Sequence, residues 1–281
     1  MANLYRSPEA ERRVRDWCRR RLGGWAVPHE TSTLETSLGT THLVVAGEGA
    51  TVCVYLPGTN FNAATSLGLV EQLSRRCRVL AVDLPGQPGL SSAQRPRPEA
   101  EGYGAWLEEV VAAVRSAYRP ERLTVVGHSR GAAVALAGPV TVDALALVSP
   151  AGLAKVRMTR AVLATALPWM LRPTSARSAA LLDLMSGPSA APAPDLVTWL
   201  TLVAGDTRSS GAPGPLPGRI TDRWRTRPVT VLVGSHDCFF PAERLGPAAR
   251  DRLDAPVVVL DGLGHLAVEE DPELVVSRLP L

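Results

Sequence analysis

Apolar positions recur along the chain in three different patterns, and each predicts a different element. Between Pro8 and Leu22, the residues Val14, Trp17, Cys18 and Leu22 fall three to four apart among arginines and acids, the spacing of a helix with one buried face. Gly23 and Gly24 end it. From Thr31 to Ala46 polar and apolar residues alternate, turn at Leu38-Gly39 and resume, which predicts a β-hairpin at a sheet edge. Further on, short apolar runs rich in β-branched residues lack any alternation: Thr51 to Leu56, Arg78 to Asp83, Leu123 to Gly127, Ala144 to Ser149, Val229 to Gly234 and Pro256 to Asp261. Runs of that kind suit strands covered on both faces, as in a parallel sheet.

Helical segments separate these runs, for example Tyr103 to Tyr118 with Trp106, Val110, Val111 and Val114 on one side. Repeated strand-helix-strand units predict an α/β fold with a mostly parallel central sheet and helices on both faces. The rhythm breaks once. From Pro150 to Arg227 the strands give way to Leu-, Ala- and Met-rich helical pieces (Met158 to Leu171, Ser178 to Met185, Leu196 to Val203), joined by the Pro- and Gly-rich stretches PSAAPAP and SSGAPGPLPG. The expected organisation is a core of residues 1–149 and 228–281, with a helical cap of residues 150–227 inserted after the sixth strand. Such an insertion sits over the carboxyl edge of the sheet, where open α/β sheets bind ligands.

With 281 residues, 46% of them hydrophobic and 20% charged, the chain can bury a sizeable core. Its net charge of +3, from 30 basic against 27 acidic residues, leaves no strong footprint for nucleic acid or anionic lipid. The basic residues are arginines scattered along the chain, with Lys155 the single lysine. Cys18, Cys53, Cys77 and Cys238 lack C-x-x-C spacing, so reduced thiols are expected, without a metal or redox site. The opening residues contain no secretory h-region, and no run reaches the ~18 apolar residues of a spanning helix. The expectation is a cytoplasmic protein that needs no cofactor, with the choice between monomer and dimer open.

The chemistry lies at strand ends. Gly127-His128-Ser129-Arg130-Gly131 follows the strand LTVVG and opens the helical stretch AAVALAG, the context required of a G-x-S-x-G nucleophile elbow. Any Cβ at 127 or 131 is expected to collide with its neighbours, and Ser129 is held strained and exposed. A serine hydroxyl needs a base, and the base needs an acid. Both follow in the order this elbow demands: Asp237 just past VTVLVG, and His265 on the glycine-flanked loop after PVVVLD. Asp83 is the rival acid, and the loop LPGQPGLSS offers it backbone N–H groups instead. His128 is expected to pack beneath the elbow, His236 to line the acid's loop, and His29 and His42 to be solvated or structural. Two N–H donors should face the oxyanion, one from Arg130 and one from the loop Pro57-Gly58-Thr59-Asn60, with Thr59 the preferred residue.

These segments, together with RVLAVDLPGQPGLSS, resemble the α/β-hydrolase superfamily and its capped carboxylesterase-like and lipase-like serine hydrolases, over roughly residues 31–151 and 228–280. Pro57 departs from the His that many relatives carry before the glycine. The resemblance implies Ser129 as nucleophile, Asp237 as acid and His265 as base, with Thr59 and Arg130 donating to the oxyanion. The expected activity is hydrolysis of a carboxylic ester of a small, largely hydrophobic molecule. Asn60, Trp169, Met185 and Phe239 are the expected substrate contacts. The apolar insertion residues, including Leu163, Leu167, Met170, Leu181, Leu182, Trp199 and Leu202, should form an inner cap face and its packing. The Arg130 side chain either reads a substrate carboxylate or makes a structural ion pair. Thioester hydrolysis or acyl transfer from a carrier, and a cofactor-free lyase or binding protein on the same scaffold, are the alternatives.

Overall fold

The computed structural model describes residues 4–208 and 211–281. Eight strands, β1 (His29–Thr36), β2 (Gly39–Ala46), β3 (Thr51–Leu56), β4 (Arg78–Val82), β5 (Arg122–His128), β6 (Ala144–Val148), β7 (Val229–Gly234) and β8 (Val257–Leu260), form one sheet in the order β1-β2-β4-β3-β5-β6-β7-β8. β2 runs antiparallel to both β1 and β4. From β4 onward every pairing is parallel.

Period-two geometry turns the apolar runs into two cores. Val52, Val54 and Leu56 point to one face, with Val82, Val125, Leu147 and Val233, and meet α3 (Glu99–Tyr118), α4 (Arg130–Ala137) and α9 (Ala242–Leu253). Cys53 and Tyr55 point to the other, with Val79, Val126, Ala146 and Leu232, and meet α1 (Pro8–Gly23), α2 (Leu67–Ser74) and, late in the chain, α10 (Ala267–Glu270) and α11 (Pro272–Ser277). Residues of both parities are therefore buried, which explains the missing alternation. β8 departs from that expectation: Val258 and Val259 are exposed, because the last strand has a neighbour on one side only and its flanking cover is incomplete. α3 begins one turn before the expected Tyr103, at Glu99 behind Pro98. The Trp106 indole on its buried side donates to the Thr41 hydroxyl at 2.9 Å.

Among the described residues, the α-helices α5 (Arg160–Leu171), α6 (Ser175–Met185), α7 (Pro194–Asp206) and α8 (Gly218–Thr221) and a 3₁₀ turn (Asp222–Trp224) lie between β6 and β7. The α7 helix rests on α1: the Trp17 and Trp199 rings are 4.6 Å apart, and Arg13 Nε reaches Asp206 Oδ2 at 2.9 Å. α1 itself starts under good control, with the Ser7 side chain accepting from the Ala10 N–H and Pro8 in the first turn.

Two glycines in helices separate crowding from backbone freedom. A Cβ on Gly131 would stand 2.7 Å from the Pro57 carbonyl oxygen, whereas one on Gly246 in α9 would meet nothing within 4 Å. Gly131→Ala is expected to lose about 2 kcal/mol or more, and Gly246→Ala to gain up to about 1 kcal/mol. Urea-unfolding midpoints of the two variants decide this, and similar shifts of the same sign would contradict it.

Candidate active site

β5 ends at His128 and α4 begins at Arg130, so the whole reversal falls on Ser129, at φ 49° and ψ −109°. A non-glycine residue enters that region only when its surroundings over-determine it. They do so here. A Cβ on Gly127 would lie 2.6 Å from the Ala132 nitrogen, and Gly131 is pressed against the end of β3, as expected from the sequence. The Ser129 N–H donates to the Val148 carbonyl at 2.9 Å, and its own carbonyl accepts from the Ala151 N–H at 3.1 Å.

The three separated residues meet there. His265 Nε2 lies 3.1 Å from Ser129 Oγ, and His265 Nδ1 lies 3.0 Å from Asp237 Oδ2. A carboxylate can only accept, so the imidazole proton sits on Nδ1 and the Nε2 lone pair faces the serine hydroxyl. Asp237 Oδ1 accepts two further N–H groups, from Phe239 at 2.8 Å and Phe240 at 2.9 Å. Burial works against its charge, but the adjacent His265, the Phe240 N–H and the nearby Ser149 hydroxyl outweigh it, and the carboxyl lies below its ordinary value. The rival Asp83 is engaged elsewhere: it accepts from the Ala63 N–H and from the Leu90 N–H of the expected loop, both at 2.8 Å.

Two further groups hold His265 and its loop, and neither left a mark in any motif. The Met185 carbonyl, at the end of α6, accepts the His265 N–H at 2.7 Å. Glu270 in α10 accepts from Gly264 at 3.0 Å and from Gly187 at 2.7 Å, so one carboxylate ties the His265 loop to the chain leaving α6. Burial raises the Glu270 carboxyl above its ordinary value, against the pull of those two N–H groups. Ser149, at φ 47° after β6, was likewise missed. Contacts between segments far apart in sequence have no local pattern that could reveal them.

Thr59 sits beside the elbow: a Cβ on its neighbour Gly58 would be 3.4 Å from Ser129 Cβ. Among the described residues the Thr59 N–H has no hydrogen-bond partner, while its hydroxyl accepts from Arg130 Nε at 3.2 Å. The Arg130 side chain is buried and ion-paired with Glu99, which selects the structural reading of the two. Asn60 is held at φ 64° by Gln87, whose side-chain oxygen accepts its N–H at 3.1 Å, and by Trp199, whose indole donates to its carbonyl at 2.7 Å.

Above Ser129 and His265 opens a cavity of about 390 Å³. Asn60, Trp169, Met185 and Phe239 all line it, together with Val162, Ala166, Leu181 and Leu200 of the helices after β6. The Phe239 ring stands edge-on to the His265 imidazole, 4.9 Å between centroids. Three residues expected on the inner face, Leu163, Leu167 and Met170, are exposed instead. They share α5 with Val162, Ala166 and Trp169, but helical periodicity puts the two sets on different sides. His236 is exposed; His42 is buried beside Asp83. The cysteines are free, and no group of three potential metal ligands occurs among the described residues.

Residues 53–278 match the sequence profile of the alpha/beta hydrolase family, and the chain belongs to that family. The fold is shared with naproxen esterase (carboxylesterase NP) of Bacillus subtilis, at TM-score 0.79 and 20% identity over 97% of each chain. Carboxylesterase CesB of the same species superposes with a TM-score of 0.74 at 19% identity, over 96% of each chain. An uncharacterized protein of Mycobacterium tuberculosis is 26% identical over 265 residues, which cover 81% of this chain and 73% of that one.

His128 packs under the elbow, with Nε2 2.8 Å from the His265 carbonyl oxygen and Nδ1 buried without a hydrogen-bond partner. Burial pulls its pKa down from 6.5 to about 3. Between those values the unfolded chain binds a proton that the folded chain refuses, so this contribution to stability is complete above about pH 6.5 and is lost as the pH falls toward 3. His128→Asn is expected to remove about 2–4 kcal/mol of that acid sensitivity. Denaturant unfolding at pH 7 and pH 4 measures it, and identical losses in parent and variant would contradict the burial argument.

Proposed function

We propose that this hydrolase cleaves carboxylic esters of small, largely hydrophobic molecules through an acyl-enzyme on Ser129. The observation that carries the reading is the hydrogen-bonded chain from Ser129 Oγ through His265 to Asp237, opening onto an apolar cavity. That two proteins of the same fold are described as carboxylesterases supports it. Residues 150–227 would then act as the cap over a core of residues 1–149 and 228–281.

In this mechanism Ser129 Oγ attacks the ester carbonyl carbon while its proton passes to His265 Nε2. The imidazolium so formed is stabilised by the ionised Asp237, and the carbonyl oxygen, now an oxyanion, is received by the backbone N–H groups of Thr59 and Arg130. Collapse breaks the C–O bond to the alcohol, which leaves with the proton from His265. Water then attacks the acyl-enzyme while His265 takes its proton, the acyl bond to Ser129 Oγ breaks as that proton passes from His265 to the oxygen, and the free acid departs. A cavity with few polar groups favours substrates whose acyl or alcohol part is apolar, because any buried polar group there would go unpaired.

Ser129→Ala is expected to lower turnover of a short aromatic ester by on the order of 10⁴-fold or more with the unfolding midpoint retained. An organophosphonate should label Ser129 in the parent, as read by intact mass and peptide mapping. Retained activity in the variant would move the nucleophile elsewhere. Matched oxygen esters and thioesters supply a further check: the oxygen ester is expected to be the better substrate, and a strong thioester preference would point to carrier-bound acyl chains instead.

A further inference from the structure

The α5 helix is apolar around its whole circumference. From Ala161 to Leu171 its only polar side chain is Thr165. A helix of that kind is ordinarily buried, yet only Val162 and Trp169 of this one are. Its outer side carries Leu163, Leu167, Met170 and Leu171 at helical spacing, with Leu167 52% and Leu171 79% exposed. Exposed apolar residues scattered singly need no explanation, but a contiguous stripe marks a contact surface.

The charges around the stripe say what it contacts. From Ala144 to Leu182 the chain has five cations, Lys155, Arg157, Arg160, Arg172 and Arg177, and no Asp or Glu. Lys155, Arg157, Arg160 and Arg172 are exposed and make no ion pair among the described residues. Arg157 and Arg160 stand at one end of the helix and Arg172 at the other, so the apolar side is bracketed by positive charge. The nearest acid in the sequence is the exposed Asp183 on α6, twelve positions beyond Leu171. A second copy of this surface would set cation against cation. Anionic headgroups around an apolar interior complement both features at once.

We infer that the outer side of α5 docks on an anionic phospholipid bilayer, with Leu163, Leu167, Met170 and Leu171 entering the interface and Arg157, Arg160 and Arg172 meeting the headgroups. At twelve residues α5 is too short to span, so it lies in the plane of the surface. Met158, 56% exposed, lines the cavity above Ser129 and lies two positions before the helix. Docking therefore brings the cavity's edge to the lipid, a route for apolar molecules between membrane and site. Binding itself does not depend on the ester-hydrolase reading, since it is measured without turnover.

Cosedimentation with vesicles of phosphatidylcholine, alone or mixed with about one-third phosphatidylglycerol, tests the inference. The parent is expected to bind the anionic vesicles at least about tenfold more tightly than the neutral ones, and to release them as salt rises. Leu167→Glu with Leu171→Glu should abolish binding, and joint replacement of Arg157, Arg160 and Arg172 by Ala should weaken it by about 100-fold. All five side chains are exposed and none lines the cavity, so both variants should keep the parent's thermal transition and its activity on a water-soluble ester. The salt titration and the comparison of lipids use the parent alone and stand without any variant. Equal binding to both vesicle types, no binding to either, or an undiminished Leu167/Leu171 variant overturns the inference. So does a dimer in sedimentation velocity that the same variant dissociates while vesicles stay bare, which would assign the stripe to a second copy.

Discussion

The reversal of the chain at Ser129 is the constraint on which the rest of the site depends. One residue must join a strand to a helix, and it does so at a backbone conformation that L-residues avoid. Glycine at 127 and 131 lets β3, β5 and α4 approach closely enough to hold it there. The close approach also fixes the geometry around the hydroxyl: Gly58 is brought against Ser129, and the loops after β7 and β8 arrive at the same edge because parallel strands all end on one side. Strain at one position is thus maintained by packing spread over the sheet.

His265 has a different kind of support. Its ring is oriented by Asp237, but its backbone is held by Met185, and its loop is joined through Glu270 to Gly187. The helices after β6 therefore do more than border the cavity, since the segment that leaves α6 is bonded directly to the segment that carries the imidazole. α7 is in turn fixed to α1 through Trp17 and Trp199. α6 thus touches both the cavity, through Leu181 and Met185, and the loop that carries His265.

Charge illustrates how a whole-chain quantity can hide a local one. A surplus of +3 in a chain with 30 basic residues describes nothing strongly electropositive, and arginines spaced along a sequence suggest no binding surface. The acids are distributed unevenly along the chain, with none from Ala144 to Leu182. Elsewhere arginines are answered by nearby carboxylates, as in the pairs of Arg15 with Glu11 and Arg75 with Glu71, whereas the arginines flanking α5 have none in their own stretch of chain. Field strength at a surface depends on which charges are neighbours in space, and composition does not record neighbours.

Periodicity alone determined the layered α/β class, the edge hairpin, the order of strands and helices, and the break in that order after Ala144–Ser149. These are consequences of side-chain direction along a strand or helix, a local property that two or three residues of context suffice to express. The meeting of Ser129, Asp237 and His265 was legible for a related reason: each stands at the end of a strand, next to glycines or turn residues that its backbone requires. Tertiary structure decided the rest. It buried Arg130 in an ion pair with Glu99, turned Leu163 and Leu167 outward, bared Val258 and Val259 at the sheet's far edge, and enlisted Met185 and Glu270 to hold the imidazole. Each of these outcomes follows from contact between segments many residues apart, and the residues concerned carry the same local pattern whether or not that contact is made.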